Sequence, residues 1–179
     1  MITITSLGGT SLRCDIDGKA VVSFPTKPDE KAKLSLLAGP EEEVKPGVIS
    51  WPGEYDIEEL AIRGIGHDEG QRVSYVVDSG KVRVAFISSP LHEWNDHEME
   101  LLGDIDILCL PADDAKLGQK MLDDVDPRIL VPLPTKDEKT FSELLKIAGA
   151  LGKELVPEYK LKGSLPAEGR EVVILQPSK

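Results

Sequence analysis

The sequence predicts an α/β layered sandwich, because three patterns follow one another along its 179 residues. The first half alternates polar and apolar residues with a period of two, which is typical of half-buried strands. Near Trp94 the period lengthens to about 3.6 residues, which indicates helices. Apolar runs and helical segments then alternate, and this β-α-β-α-β order predicts helices packed on a sheet.

The first half contains two predicted β-hairpins joined by polar loops. One pair of alternating arms flanks Asp17-Gly18, and a second pair flanks Asp78-Ser79-Gly80. Short turn sequences of this kind between alternating runs are typical of hairpins. The other predicted strands of this half are MITITSL, KLSLLA and ELAIRGI, and VISW leads into the turn segment PGEYDI.

The second half alternates predicted helices and strands. The spacing predicts a short helix over 94–102, with Asn95 or Asp96 as its N-cap and Gly103 at its end. Further helices are predicted in DDAKLGQKMLDDV and KDEKTFSELLKIAGALG, and strands in DIDILCLPA, PRILVPLP, KELVPE and REVVILQP. No linker, repeat or low-complexity tract divides the chain, so we expect one domain over residues 1–179.

Composition and charge exclude several classes of partner. The net charge of −11 opposes binding to nucleic acid or to an anionic membrane, since both repel an acidic surface. Cys14 and Cys109 each lie in an apolar run and are expected to be buried, reduced thiols. No basic, apolar leader pattern occurs at the N-terminus, and no apolar run is long enough to span a bilayer. We therefore expect a cytoplasmic protein.

The stretch SSPLHEWNDHEMELLG holds two of the three histidines. His92, Asp96 and His97 fall at three of the four ligand positions of an H-x-H-x-D-H metal motif, but Trp94 takes the place of the second histidine and cannot bind zinc. We interpret the stretch as an ordinary surface helix, in which His92 and His97 have structural or surface roles.

The same stretch contains the residue types of a nucleophilic triad. Ser88 or Ser89, His92 and Asp96 would supply a nucleophile, a base and an orienting carboxylate. No G-x-S-x-G turn or oxyanion hole is evident beside them, so we expect no triad here.

Several segments, in order, resemble the metallo-β-lactamase superfamily, in its branch of small metal-dependent hydrolases similar to L-ascorbate-6-phosphate lactonase. The segments are ITSLGGTSLRCDIDGKAVVSFP, WPGEYDIEELAIRGI, SGKVRVAFIS, LLGDIDILCLPA and PRILVPLP. WPGEYDIEELAIRGI is the most specific, since this branch has a P-G-E-Y-E-[VI] turn before a strand that ends in R-G or Q-G. The resemblance covers Met1 to Pro134. It implies an αβ/βα four-layer sandwich with a metal site at the open edge between its halves.

The resemblance also implies a set of metal-ligand positions that this chain does not fill. They fall on Gly39, Glu41, Glu43 and Val44 after the strand KLSLLA, on Ser89 for the bridging aspartate, and on Pro134 for the last histidine. A further histidine of the family's opening motif falls on Gly9. Glycine, valine and proline have no donor side chain, and a catalytic zinc needs about three protein donors. We therefore expect no metal and no cofactor.

One histidine of the family pattern is retained, in His67-Asp68. Together with Ser89, these residues are candidates for a vestigial cleft. The competing interpretation is an exposed loop histidine in a polar turn. The acidic run Glu41–Glu43 could attract Mg²⁺ or Ca²⁺, although such runs are usually only solvated.

These observations favour a non-catalytic binding or structural homologue of metal-dependent hydrolases. The alternative is an active hydrolase with a relocated or metal-independent site that uses His67, Asp68, His92 or Glu41–Glu43. The expected partners are a small-molecule ligand in the cleft, a protein, or a second copy of the chain, because the lactonase-like members form oligomers. GVISWPGEY, with Trp51 and Tyr55, is a candidate contact surface, unless Trp51 is buried in the core.

Overall fold

Residues 1–178 form thirteen strands, and three α-helices follow the ninth of them. The computed structural model describes residues 1–178. The strands are β1 (Ile2–Gly8), β2 (Ser11–Ile16), β3 (Lys19–Ser23), β4 (Leu34–Leu36), β5 (Val48–Ile49), β6 (Gly53–Ile57), β7 (Leu60–His67), β8 (Arg72–Asp78), β9 (Arg83–Phe86), β10 (Ile107–Pro111), β11 (Ile129–Leu133), β12 (Tyr159–Leu161) and β13 (Glu171–Val172). The helices are α1 (Asp96–Leu102), α2 (Ala115–Val125) and α3 (Glu138–Ile147).

The strands build two mixed sheets that pack face to face. The first sheet has the order β12-β1-β2-β3-β4-β5, and the second has the order β13-β11-β10-β9-β8-β7-β6. Both predicted hairpins form, as β2–β3 and β8–β9. Strands β9, β10, β11 and β13 run parallel, because α1, α2 and the α3 segment provide the crossovers between them.

Two apolar clusters hold the layers together. One lies between the sheets and includes Ile4, Leu12, Tyr75 and Phe86. The other lies between the second sheet and the helices and includes residues such as Leu108, Met121 and Leu144. Successive strand residues point to opposite faces, so the nearly continuous apolar runs of β10 and β11 serve both clusters at once.

The predicted fold class is confirmed, although the layers are unequal. All three α-helices of residues 1–178 come after β9, and their buried side chains pack in the cluster on the second sheet. Ala20 and Val22 of β3 are buried although they do not belong to the inter-sheet cluster, and in the loop before β4 the Lys33 N–H donates to the Ala20 carbonyl at 2.9 Å. The sequence thus predicted the layered sandwich, whereas the α-helices of residues 1–178 pack on the second sheet.

Two details near the C-terminus differ from the prediction. KELVPE contributes only an isolated bridge at Val156, and the strand β12 begins after it, at Tyr159. β12 pairs antiparallel with β1 at the edge of the first sheet. No helix among residues 1–178 is both long and apolar enough to cross a bilayer.

Candidate functional site

His67, His92 and Glu98 meet on the helix-covered face of the second sheet. His67 is the last residue of β7, His92 lies in the loop after β9, and Glu98 lies in the first turn of α1. Their donor atoms lie within 4.8 Å of one another. His67 is only 3% exposed and Glu98 only 7%, so this is a buried polar cluster.

The N-terminus of α1 places Glu98 against the two imidazoles. Asn95 is the N-cap, and its side-chain oxygen accepts from the Glu98 N–H at 2.8 Å. Glu98 Oε1 in turn accepts from the Asn95 N–H at 2.9 Å, which completes a capping box. One carboxylate oxygen therefore holds the helix end, and the other, Oε2, is left for His67 and His92.

Arg72 determines the tautomer of His92. An Arg72 nitrogen lies 2.6 Å from His92 Nδ1, and a guanidinium can only donate. His92 Nδ1 is therefore the acceptor, and the ring hydrogen is on Nε2, which donates to Glu98 Oε2 at 2.9 Å. His92 is thus a neutral bridge between a cation and a carboxylate.

The other branch of the cluster runs through His67 into two buried serines. His67 Nδ1 is hydrogen-bonded to Glu98 Oε2, and His67 Nε2 lies 2.8 Å from Ser74 Oγ. Ser74 Oγ also accepts from the Ser88 N–H at 3.0 Å and lies 3.1 Å from Ser88 Oγ. Since a carboxylate only accepts, His67 donates to Glu98 and accepts from Ser74, so every polar atom in this branch has a partner.

The charges of the cluster follow from these contacts. Burial lowers the pKa of His67 and outweighs the opposite effect of the Glu98 carboxylate, so the imidazole stays neutral. Burial alone would raise the pKa of Glu98, but hydrogen bonds from Asn95, His92 and His67 lower it overall. The network therefore joins the Glu98 carboxylate to the Arg72 guanidinium through neutral imidazole, and the exposed Asp68 carboxylate lies 3.6 Å from Arg72.

Two histidines and a glutamate are also the donor set of many zinc sites. A metal at His92 Nε2 would need that nitrogen free of hydrogen, which moves the ring hydrogen to Nδ1. There it would face the Arg72 donor at 2.6 Å, beside a second positive charge. The arrangement fits a hydrogen-bond network, and a metal ion bound at His92 would have to displace Arg72 from that ring.

A separate cleft opens between the two sheets at one edge of the sandwich. Its volume is about 870 Å³, and it is lined by Leu7, Gly8, Gly9, Thr10, Ser11, Thr26, Ser89, Asp113, Pro134, Thr135, Lys136 and Asp137. Ser89 and Pro134, the two later ligand positions implied by the resemblance, both lie on its wall. Gly9 and Thr10, from the turn that replaces the family's G-H-S, lie there as well.

The two carboxylates of the cleft already have hydrogen-bond partners. Ser89 Oγ lies 2.9 and 2.8 Å from the two oxygens of Asp113, one of which also accepts from the Leu91 N–H at 2.8 Å. Asp137 is the N-cap of α3 and accepts from the Lys139 N–H. The lining contains no imidazole and no thiolate, so the residues present do not fit the metal centre that the fold family implies.

The four ligand positions assigned to the loop after β4 lie elsewhere. A Cβ added at Gly39 would lie 3.5 Å from the carbonyl oxygen of Gln71. Glu41 lines a neighbouring groove, and Glu43 and Val44 are exposed. None of them lines the cleft that Ser89 and Pro134 share.

The prediction that His67 and Asp68 belong to the cleft is corrected by their positions. His67 points to the helix side of the second sheet, and Asp68 begins a 3-10 turn beyond it. The competing interpretation of His67 as an exposed loop residue is also wrong, because the side chain is buried.

The residues of the predicted stretch 88–103 separate in the structure. Ser88 contacts Ser74 and Ser89 contacts Asp113, whereas neither contacts His92 among the hydrogen bonds of residues 1–178. His97 is exposed on α1, as expected of a surface histidine. Ser88, Ser89 and His92 thus each have a different set of direct hydrogen-bond partners.

Sequence reasoning did not assign three residues to the cluster and the cleft, namely Arg72, Glu98 and Asp113. Glu98 had a readable signal, since Asn95-x-x-Glu98 is the pattern of a capping box. His67 also had a readable signal, because it lies two residues after the buried Ile65 and therefore on the same face of β7. Arg72 is paired with His67 across β7 and β8, and Asp113 lies 24 residues from Ser89, but no local pattern marks either residue.

The candidate contact surface around Trp51 is open. Trp51 is 50% exposed, and its indole N–H donates to the Glu41 carbonyl at 2.9 Å. The Tyr55 hydroxyl donates to the Trp51 carbonyl at 2.8 Å. Trp51 is therefore not a core residue.

Comparison with known proteins agrees with this architecture. A family model, described as the beta-lactamase superfamily domain, matches residues 27–134. No curated protein is matched by the sequence.

Three solved structures have the same fold. A Thermotoga maritima protein assigned to the Zn-dependent hydrolases of the metallo-beta-lactamase superfamily superposes with a TM-score of 0.81 at 20% identity, over 98% of each chain. A metallo hydrolase from Ignicoccus hospitalis superposes with a TM-score of 0.64 at 13% identity, over 99% of this chain and 96% of the other. A metallo-beta-lactamase fold protein from Bacillus subtilis superposes with a TM-score of 0.64 at 10% identity, over 100% of this chain and 98% of the other. Since the family model covers more than half of the sequence, this chain belongs to the beta-lactamase superfamily and has its metallo-beta-lactamase fold.

Proposed function

We propose that this protein is a non-catalytic, hydrolase-like member of the superfamily that acts by binding at the inter-sheet cleft. One observation carries the proposal. The cleft in which Ser89 and Pro134 replace the family's ligands is lined by hydroxyls, backbone, apolar groups, the cationic Lys136 and two engaged carboxylates, without an imidazole or a thiolate for a metal. Losing the metal removes both the Lewis acid and the activated water on which hydrolysis in such sites depends.

The size of the cleft supports a binding role. A volume of about 870 Å³ lies within the range of small-molecule sites, and its hydroxyls and backbone groups could orient a polar ligand. The cytoplasm is the compartment we infer, because Cys14 and Cys109 are free and buried. A protein partner or a second copy, contacting the surface around Trp51, is a further proposal that rests on its exposure.

A second candidate is an active hydrolase with a metal-independent site. Glu98, His67 and Ser74 are hydrogen-bonded in series as carboxylate, imidazole and hydroxyl, which is the arrangement of a Ser-His-Asp catalytic triad. Ser74 is 0% exposed, however, and its oxygen is engaged by the Ser88 N–H. A buried hydroxyl has no access to a substrate, so we rank this candidate second.

Metal analysis tests the leading proposal. Protein purified without chelator should contain zinc, manganese and iron far below one equivalent. Zn²⁺ should not raise the melting temperature, whereas a ligand at 100 times its dissociation constant would stabilise the fold by about 2.7 kcal/mol. The control is Asp113→Asn, which removes the charge of the cleft carboxylate that contacts Ser89.

The outcomes separate the candidates. A stoichiometric metal that is lost in Asp113→Asn would overturn the proposal and place a metal centre in the cleft. Hydrolysis of generic phosphoester or lactone substrates that disappears in His67→Ala, but persists in Asp113→Asn, would favour the relocated site.

A further inference from the structure

The loop of residues 88–95 connects the cleft to the buried polar cluster. At the cleft, Ser89 Oγ and the Leu91 N–H both contact Asp113. At the cluster, His92 contacts Arg72 and Glu98, while Asn95 caps α1. Whatever displaces His92 therefore acts on a segment that also forms part of the cleft wall.

His92 cannot accept a second proton in its present position. The proton would be added at Nδ1, which lies 2.6 Å from a guanidinium nitrogen of Arg72. Two donors would then face each other, and two cations would be in contact. Imidazole is the side chain that ordinarily gains a proton between about pH 8 and pH 5, and a proton added to His92 would create this conflict.

His67 does not face the same conflict. Its Nε2 lies 2.8 Å from Ser74 Oγ, and a hydroxyl can rotate to accept from a protonated ring. The two imidazoles, whose centroids are 4.6 Å apart, are therefore unequal. Only the charging of His92 forces a contact to break.

The surroundings of His92 contain few groups that could hold the new charge. The titratable or charged side chains around it are Arg72 from β8 with its ion-pair partner Asp68, His67 from β7, Glu98 from α1, Glu93 beside it in the loop, and Lys120 and Asp124 from α2. Lys120 already pairs with Asp124 at 2.8 Å, and Glu98 already accepts from two imidazoles and Asn95. The His92 side chain is 31% exposed, so it can leave towards solvent.

We propose that Arg72, His92 and Glu98 form an acid-sensitive latch that holds the 88–95 loop in place and opens the cleft wall when His92 is protonated. The latch does not rest on the proposed function, because it follows from these contacts whether or not the cleft binds a ligand. Opening separates His92 from Arg72 and loosens the loop that carries Ser89 and Leu91.

Trp94 is a built-in reporter for this event. Its ring lies 6.1 Å from His92 with an interplanar angle of 22°, and 4.7 Å from His67. The sequence has two tryptophans, so Trp51→Phe leaves Trp94 as the only one. In this full-length background we expect Trp94 fluorescence to change between pH 7.5 and pH 5.5. The amide hydrogen exchange of residues 88–95, corrected for intrinsic rates, should rise roughly tenfold, as expected for loss of one charge-assisted hydrogen bond.

Two variants make the experiment decisive. His92→Gln keeps one acceptor and one donor but cannot be charged, so both responses should disappear. His97→Gln removes the exposed histidine of α1 and should leave both responses intact. If His92→Gln does not fold, Arg72→Gln removes the opposing cation and should reduce the exchange response to that of β10. The latch is wrong if wild-type exchange at 88–95 rises no more than at β10, or if the response survives in His92→Gln.

Discussion

Single residues show why the buried cluster is stable near neutral pH. Arg72 only donates, Glu98 only accepts, and the imidazoles between them can do both, so the direction of each hydrogen bond is determined. Removing one partner of such a network leaves a buried polar group unsatisfied, which costs about 1–3 kcal/mol. The contribution of each residue therefore depends on its neighbours.

The first prediction concerns the pH dependence of stability. The pKa of His67 is lowered in the folded state, so below about pH 6.5 the unfolded chain takes up a proton that the folded chain refuses. The lowered pKa of Glu98 acts in the same direction at lower pH, where its contribution is lost as the carboxylate is protonated. The free energy of unfolding should therefore fall as the pH drops from 7 to 5. Urea titrations of His67→Gln should show a weaker fall, and those of His97→Gln an unchanged one.

A second prediction concerns Ser11 in the wall of the cleft. Its hydroxyl is buried and has no hydrogen-bond partner among residues 1–178. Ser11→Ala removes this unsatisfied group and should raise the free energy of unfolding by about 1 kcal/mol. A decrease of similar size in urea titrations would show that the hydroxyl has a partner in solution.

At the scale of elements, the end of one helix positions the whole cluster. α1 has only seven residues, yet its capping box orients the carboxylate that both histidines contact. Alternating patterns predicted the long strands well, since β1, β2 and β8 each have one face in the inter-sheet core. β12 escaped prediction because three residues show no period, and its partner β1 lies at the other end of the chain.

The N-cap of α1 can be compared with that of α2. Asn95→Ala removes the cap and frees Glu98, so it should cost about 2 kcal/mol, more than the usual value of about 1 kcal/mol for a lost cap. Asp114→Ala is the matched control, because Asp114 caps α2 through the Leu117 N–H at 2.9 Å and does not contact the cluster. Equal losses in thermal unfolding would contradict a positioning role for the cap of α1.

Helix packing gives a further prediction at Gly118 in α2. A Cβ there would lie 2.9 Å from Leu144 Cδ1, and Leu144 of α3 is fully buried. Gly118→Ala should therefore destabilise by about 1–2 kcal/mol, although alanine is the better helix former by about 1 kcal/mol. In a double-mutant cycle, Leu144→Val should partly relieve the cost of Gly118→Ala. Additive effects would show that the two positions do not collide.

Across the whole molecule, the sequence predicted the sandwich more fully than the sites. Periodicity reports which face of a strand is buried, so two sheets and a helical layer could be inferred. It does not report which distant side chains meet, and the polar context of HDEG suggested a loop although His67 completes a strand. The resemblance assigned Ser89 and Pro134 to one site, and both line the same cleft. No feature of the sequence assigned Asp113 to that cleft.

The inter-sheet core yields a prediction about its two thiols. Cys14 lies in the first sheet and Cys109 in the second, and both are fully buried in the same cluster. Burial raises the pKa of each thiol, so little thiolate forms. Neither should react with a thiol reagent until the protein unfolds, and both should then react together. Val44→Cys, at a position that is 87% exposed, provides the reactive control.

The pairing of β1 with β12 has a consequence for synthesis. Ile2 is opposite Leu161, so β1 receives its outer neighbour only after the roughly 150 residues between them have been translated. Until then the nascent polypeptide carries an unpaired strand edge, which is a template for association with other chains. Translation speed and chaperone supply should therefore affect the yield of this protein more than they affect proteins whose strands pair only with sequence neighbours.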